Sequence, residues 1–371
     1  MDAHVEAEAR SAMSSRGRIG PFVVKIGSSV LASGKGGLDP HRVRAIARQI
    51  SAIAGPKRWP VVVSSGAILA GVGALALSSR PKTMAGLQAV AAVGQSKLMD
   101  AWSRAFEKER MPVAQVLLTH ADLADRERFL NARRAIAEIS RRRAVAIINE
   151  NDTVATEEIA FGDNDGLAAQ VANLVDASVL VLLTVAPGLL DAAGRRVKAA
   201  HAVDRRLDAL LRPDKSKHGK GGMTSKLAAA RAASARGAIV AIAPGVEPTV
   251  LEDIFSGKDV GTILLPAAGV GPMKSRAHWI AYTLRPRGTI LVDPGAASAI
   301  VKDGRSLLPS GILDVIGSFS PGDAVSVALG TVDSVIARGL ARHSAEELRA
   351  ARGTRKLGDE AIHKDDLAVL T

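Results

Sequence analysis

The segment FGDNDGLAAQVANL, residues 161–174, sets two carboxylates, Asp163 and Asp165, around Asn164 at the start of an apolar helical pattern. Capping is one use for acids at that place, since they accept from orphan N–H groups of a first turn and oppose the positive end of the helix dipole. One aspartate would suffice, so the pair raises a second use, the holding of a ligand. The preceding loop NENDTVAT (149–156) adds Asp152 with Asn149 and Asn151, more polar groups than a turn requires. Carboxylates mixed with amides at this density suit a small substrate that carries an ammonium group.

Cations and glycines occupy a different set of segments. KIGSS puts Lys25 at the end of an apolar run, followed by Gly27, Ser28 and Ser29, whose backbone N–H groups could face a phosphate. Snorkelling of the lysine to water is the alternative. SSGA (64–67) brings small residues, Ser65 among them, to a turn where a ligand could approach the backbone. HGKGGMTSK (218–226) is glycine-rich, opens a helical pattern and carries Lys220 and Lys226, which suits an anion; a plain surface loop is the alternative. Together the two sets describe a polyphosphate beside a small zwitterion, and the chemistry that joins them is phosphoryl transfer.

Other chemistries are poorly supported. GVGALA (71–76) matches a dinucleotide glycine pattern, but its glycines fall inside a helical pattern instead of at a strand-to-helix turn. SVLASGKG (29–36) has Ser where a P-loop needs its first Gly, and Gly where Ser or Thr should follow the Lys. With no cysteine among the 371 residues, disulfides, thiolate metal sites and cysteine nucleophiles are excluded. No His–Ser–Asp arrangement and no metal cluster of protein ligands stands out.

The elements that must position these loops are short apolar runs at 22–26, 60–64, 112–118, 144–149, 178–184 and 238–243, alternating with helical spacing at 40–54, 85–110, 126–142, 165–176 and 223–236. Runs that are apolar throughout, separated by helices, predict an α/β fold with a doubly wound, mostly parallel sheet. In such folds ligands bind beyond the carboxyl ends of the strands. After residues 264–275 the rhythm changes to HWIAYT, GTILVD, DAVSVAL and TVDSVIARG, read as short strands, with a helical insert at 295–302. The expected organisation is a disordered extension over 1–20, a larger domain over 21–268 and a β-rich domain over 275–371.

A formal charge of +12 raises nucleic-acid binding. From residue 275 onward, however, 12 Lys and Arg stand against 11 Asp and Glu, so the excess lies in the larger domain. There RRAIAEISRRR (133–143) reads as a solvated basic helix face. No signal-peptide pattern or membrane span is found, and the composition fits a cytoplasmic protein without a membrane partner.

The motifs VVKIGSSV, VVVSSGAI, AAVGQSKL, LLTHADLADRERFLNAR, INENDTVAT, FGDNDGLAA and GKGGMTSK resemble, in order and spacing, those of the glutamate 5-kinases. The stretch from HWIAYTLRPRGTILVDPGAASAI to VIGSFSPGDAVSV is similar to a PUA domain. The resemblance implies an amino acid kinase-like domain that phosphorylates the γ-carboxylate of L-glutamate with ATP and Mg²⁺, the first step of proline biosynthesis. It implies catalytic roles for Lys25, Asp165 and Lys226, and glutamate binding by Ser65, Asp152, Asn164 and Asp163. ATP would meet Lys25, Gly27, Thr184, Val185, Lys220, Gly221, Gly222, Met223, Thr224, Ser225 and Lys226. It further implies a homo-oligomer and proline as feedback inhibitor; RNA is a partner suggested by the PUA-like part alone. The chain departs from the pattern at Val185 and Leu190, where the family usually has aspartate and tyrosine, and at Lys220, where a small hydroxyl residue is usual. A related amino acid kinase with another donor or acceptor, or a weakened RNA-binding or regulatory paralogue, are the alternatives.

Overall fold

The computed structural model describes residues 3–16, 20–34, 36–155, 164–210, 222–269, 271–354 and 359–370. The chain divides into two compact units, Met1–Pro272 and Met273–Thr371. In the first, α1 (Ala3–Arg16), β1 (Phe22–Ile26), α2 (Ser28–Leu31), α3 (Pro40–Ile53), β2 (Pro60–Ser64), α4 (Ala67–Ala74) and α5 (Met84–Glu107) lead to β3 (Val113–Leu118). Then follow α6 (His120–Ala124), α7 (Arg126–Arg141), β4 (Val145–Glu150), α8 (Asn164–Leu174), β5 (Val179–Thr184), β6 (Ala199–His201), α9 (Met223–Ala235), β7 (Ile239–Pro244) and β8 (Thr262–Leu265).

The eight strands form one sheet in the order β3-β4-β2-β1-β5-β7-β8-β6, parallel at every pairing except β7 with β8. FVVKI, PVVVS and the first five residues of VAIINE, VLVLLT and IVAIAP are buried, as expected of strands covered by helices on both faces. VAQVLL at the sheet edge is only partly covered, and its Gln115 is exposed. The parallel direction delivers the ends of β4, β2, β1 and β5 to one edge. The chain leaves β1 toward β2 on one side and enters β5 on the other, so this edge contains the point where the winding reverses.

Local chemistry sets the helix boundaries. Asp39 caps α3 by accepting from His41 N and Arg42 N, with Pro40 in the first turn where no N–H is needed. Thr119 and Asp122 form a reciprocal box at α6. The glycines of GVGALA serve packing. A methyl group on Gly71 would run into the Val90 carbonyl, and one on Gly94 would run into the Ala67 carbonyl and Gly71 amide, so α4 and α5 meet backbone to backbone. Trp102 of α5, fully buried, donates from Nε1 to Ser64 Oγ at 2.9 Å, and that hydroxyl donates to Ser65 O at 3.0 Å.

Residues 3–16 form α1, which differs from the expected disordered extension. Val5, Ala9 and Met13 recur at helical spacing; Ala9 and Met13 are buried, and Val5 packs on the same core. Lys198 pairs with Glu6 at 3.4 Å. With so few large apolar residues, this face is invisible to a search for apolar runs. No helix among the described residues is long and apolar enough to cross a membrane.

The second unit holds a five-stranded sheet ordered β10 (Ile312–Gly317), β9 (Gly288–Val292), β11 (Ala324–Leu329), β12 (Val335–Leu340), β13 (Leu367–Val369). A helix at Pro294–Val301, capped by Asp293, follows β9. HWIAYT is not a strand: it lies in the helix Ser275–His278 and a π-helical turn Trp279–Thr283. His278, Trp279, Ile280 and Ala281 are buried in succession, and His278 faces Tyr282 four residues on, with ring centroids 4.8 Å apart. A six-residue apolar run cannot distinguish the two periods.

Candidate active site

Lys25 is the one charged residue in a strand buried at every position. Its Nζ lies 2.6 Å from Asp165 Oδ1, and Lys226 Nζ lies 3.0 Å from Asp165 Oδ2. The three come from β1, the first turn of α8 and the first turn of α9. Their side chains are 7%, 0% and 8% exposed, so the carboxylate bridges two ammonium groups with little water to share the charge. Burial alone would raise the Asp165 carboxyl, but the Lys25 and Lys226 charges and hydrogen bonds outweigh it and hold the group below the usual carboxylate range. Ser225 Oγ adds a hydrogen bond to Asp165 Oδ2 at 3.1 Å.

Gly222, Met223, Thr224 and Ser225 open α9. Gly222 is its N-cap with no side-chain cap, and Thr224 is exposed. Gly27 lies next to Lys25 Nζ, which stands 3.9 Å from where a Cβ at Gly27 would be. Thr184 ends β5, and Val185 after it is 58% exposed. Leu190 forms a short antiparallel bridge with Arg196.

A cavity of about 420 Å³ opens beside the ends of β1, β2 and β4, with Ser65, Asn149, Asp152, Asn164, Ser29 and Arg80 in its wall. Gly66, at φ +115°, occupies the left-handed region, which allows the SSGA turn to reverse directly into α4. Asn164 Nδ2 donates to Asn149 Oδ1 at 2.9 Å. Among the described residues Asp152 has no such match. Burial pushes its carboxyl up to about 6, and the Arg80 charge only partly opposes this.

Of the residues singled out from the sequence, Lys25, Asp165 and Lys226 meet in one cluster with Ser225, and Ser65, Asp152 and Asn164 share one cavity wall. Thr184 and Val185 lie at the end of β5 and are not in that wall. Asp163, Lys220 and Gly221 fall outside the described residues. The site reading from sequence left out Arg80 and Glu150, both in the cavity wall, and Gln95, whose Oε1 accepts from Asn149 Nδ2 at 2.8 Å. Glu150 was discoverable from its place inside NENDTVAT; Arg80 lies in a loop with no distinguishing pattern.

Comparison with known proteins identifies the family. The model described as the amino acid kinase family matches residues 20–243, and that of the PUA domain matches residues 288–363. A glutamate 5-kinase of Geobacter sulfurreducens is 42% identical over 365 residues, covering 94% of this chain and 97% of the relative. Those of Syntrophus aciditrophicus and Nitrosococcus oceani are 41% and 42% identical, each covering 94% of this chain and 94% and 96% of the relative.

Proposed function

The chain belongs to the amino acid kinase family, and from that premise we propose that it transfers the γ-phosphoryl group of ATP to the γ-carboxylate of L-glutamate, the first step of proline biosynthesis. The observation that supports this reading most is the buried carboxylate of Asp165 between two lysines, beside a cavity walled by acid and amide groups.

The acceptor carboxylate, with a reference pKa of about 4.3, is ionised at neutral pH, so no general base is needed. What it lacks is alignment and relief from repulsion by the triphosphate. In the reaction a bond forms between a γ-carboxylate oxygen and the γ-phosphorus, the bond from that phosphorus to the β,γ-bridging oxygen breaks, and ADP departs with the electron pair. Lys25 and Lys226 would neutralise charge on the transferring group, with Asp165 holding their ammonium groups apart and in place. Asp152 and Asn164 would take the substrate ammonium, with Ser65 on the same wall and Asp163 in the adjoining segment. Gly27, Thr184, Val185 and residues 220–226 would lie along ATP, where an uncapped helix start suits phosphate.

Mg²⁺, when bound with ATP, would neutralise phosphate charge. No three His, Asp or Glu side chains gather as metal ligands among the described residues, so its oxygen ligands would come mainly from the nucleotide. A cytoplasmic location, homo-oligomer formation and inhibition by proline are further parts of this reading.

The test is ADP release with Mg²⁺-ATP and glutamate, aspartate, N-acetylglutamate or no acceptor, in the presence of hydroxylamine. Glutamate-dependent turnover that yields the hydroxamate is the expected result. Turnover that ignores glutamate, or prefers another acceptor, contradicts the reading.

A further inference from the structure

We infer that Gln95, on α5, is a positioning residue for the acceptor site and holds the Asn149 and Asn164 amides in place in its wall. The inference rests on the reading of the cavity as the glutamate site. Three side-chain amides stand in series: Asn164 Nδ2 donates to Asn149 Oδ1 at 2.9 Å, and Asn149 Nδ2 donates in turn to Gln95 Oε1 at 2.8 Å. Each amide has one accepting and one donating end. When Gln95 accepts, Asn149 must turn its oxygen to Asn164, and Asn164 must commit its nitrogen. That bond uses one N–H of Asn164 and leaves its carbonyl oxygen uncommitted by the series, able to accept from an ammonium group.

Asn164 and Asp152 belong to one cavity wall. Both are acceptors, the pairing that an ammonium group requires. The opposite polarity would turn an NH₂ group toward the ammonium and set donor against donor. At the far end, Gln95 Nε2 is buried and has no hydrogen-bond partner among the described residues.

The backbone contact between helices fixes the remote end in space. A Cβ on Gly94 would strike the Ala67 carbonyl and the Gly71 amide, so α5 is seated directly against the helix that follows Ser65 and Gly66. The backbone that carries Gln95 is thereby held at a set distance from the wall that contains Ser65 and Gly66.

The experiment is steady-state kinetics of the full chain carrying Gln95→Met or Gln95→Glu, with glutarate, which is glutamate without its amino group, as a competitive inhibitor. Methionine fills similar volume without an acceptor of comparable strength. For Gln95→Met we expect KM for glutamate to rise about tenfold, with KM for ATP and Ki for glutarate within about twofold of the unmodified chain. Glutamate at position 95 keeps the acceptor and drops the unused donor, and should hold KM for glutamate within about threefold. An unchanged KM in Gln95→Met, or equal losses for glutamate, glutarate and ATP, overturns the inference. Absence of glutamate-dependent turnover in the unmodified chain overturns the functional reading instead.

Discussion

Asp165 and Asp152 are both aspartates beyond strand ends of one domain, yet their surroundings oppose each other. Asp165 lies between two lysines at 2.6 and 3.0 Å and is held below the usual carboxylate range. Asp152 is desolvated, with the Arg80 charge offsetting this in part, and is pushed up to about 6. The first region carries its counter-charges within the fold; among the described residues the second has a charge only partly offset. Self-contained charge suits the group that organises catalysis, and a charge in want of a partner suits the group that binds a cation. The first comparison to break is therefore at these two positions.

The largest effect is expected at Asp165. Asp165→Asn leaves two buried ammonium groups facing each other, a change that costs about 3–5 kcal/mol when one partner of a buried pair is removed. Thermal unfolding should shift down, and kcat should fall about a thousandfold or more at any glutamate concentration. Asp152→Asn should behave differently: KM for glutamate rises about thirtyfold to a hundredfold, while kcat at saturation stays near that of the unmodified chain. Its thermal midpoint should be equal or higher, because a partly desolvated carboxylate that Arg80 only partly offsets is removed.

The helix contact behind the cavity comes next. Gly94→Ala places a methyl group on the Ala67 carbonyl. The separation of α4 from α5 that must follow should cost about 1–3 kcal/mol, read as a lowered thermal midpoint together with a raised KM for glutamate.

Acidity separates the two carboxylates further. Between pH 8 and pH 5, kcat/KM for glutamate should fall as Asp152 protonates through about 6, whereas kcat should hold because Asp165 remains ionised. The stability effects have opposite signs. Asp152, raised in the folded state, imposes a penalty above pH of about 6 that is relieved as pH falls toward its ordinary value of 3.8. Asp165, lowered in the folded state, contributes stability above its ordinary value of 3.8 that is lost as pH falls through its folded value. Urea midpoints measured across this range, on the unmodified chain and on Asp152→Asn, read the difference directly. The smallest effect is expected at Val185. The side chain is 58% exposed, and a carboxylate restored there would act mainly through water, so Val185→Asp should change KM for ATP by less than about threefold.

The parallel core was legible because its strands are buried on both faces and therefore apolar at every residue; 22–26 and 60–64 agree with β1 and β2 residue for residue. The short strands at Ala199–His201 and Thr262–Leu265 carry too few residues for a pattern. HWIAYT failed for a related reason, since its four successive buried residues satisfy helix and strand alike. Residues 3–16 contain only a thin apolar stripe, so their helix rests on tertiary contact with the core. At the site, charged residues beyond strand ends were conspicuous because such places are costly for unpaired charge. Gln95 was not, because an uncharged amide on a helix gives no signal until its partner on another element is known.

The most direct measurement of the central claim is a glutamate saturation series at pH 8 for the unmodified chain, Asp152→Asn and Asp165→Asn, carried well above the expected KM. The account predicts that Asp152→Asn regains near-unmodified turnover at high glutamate, while Asp165→Asn stays inactive at every concentration. Recovery of Asp165→Asn by glutamate, or a loss in Asp152→Asn that no concentration restores, would contradict the division of labour between the two carboxylates.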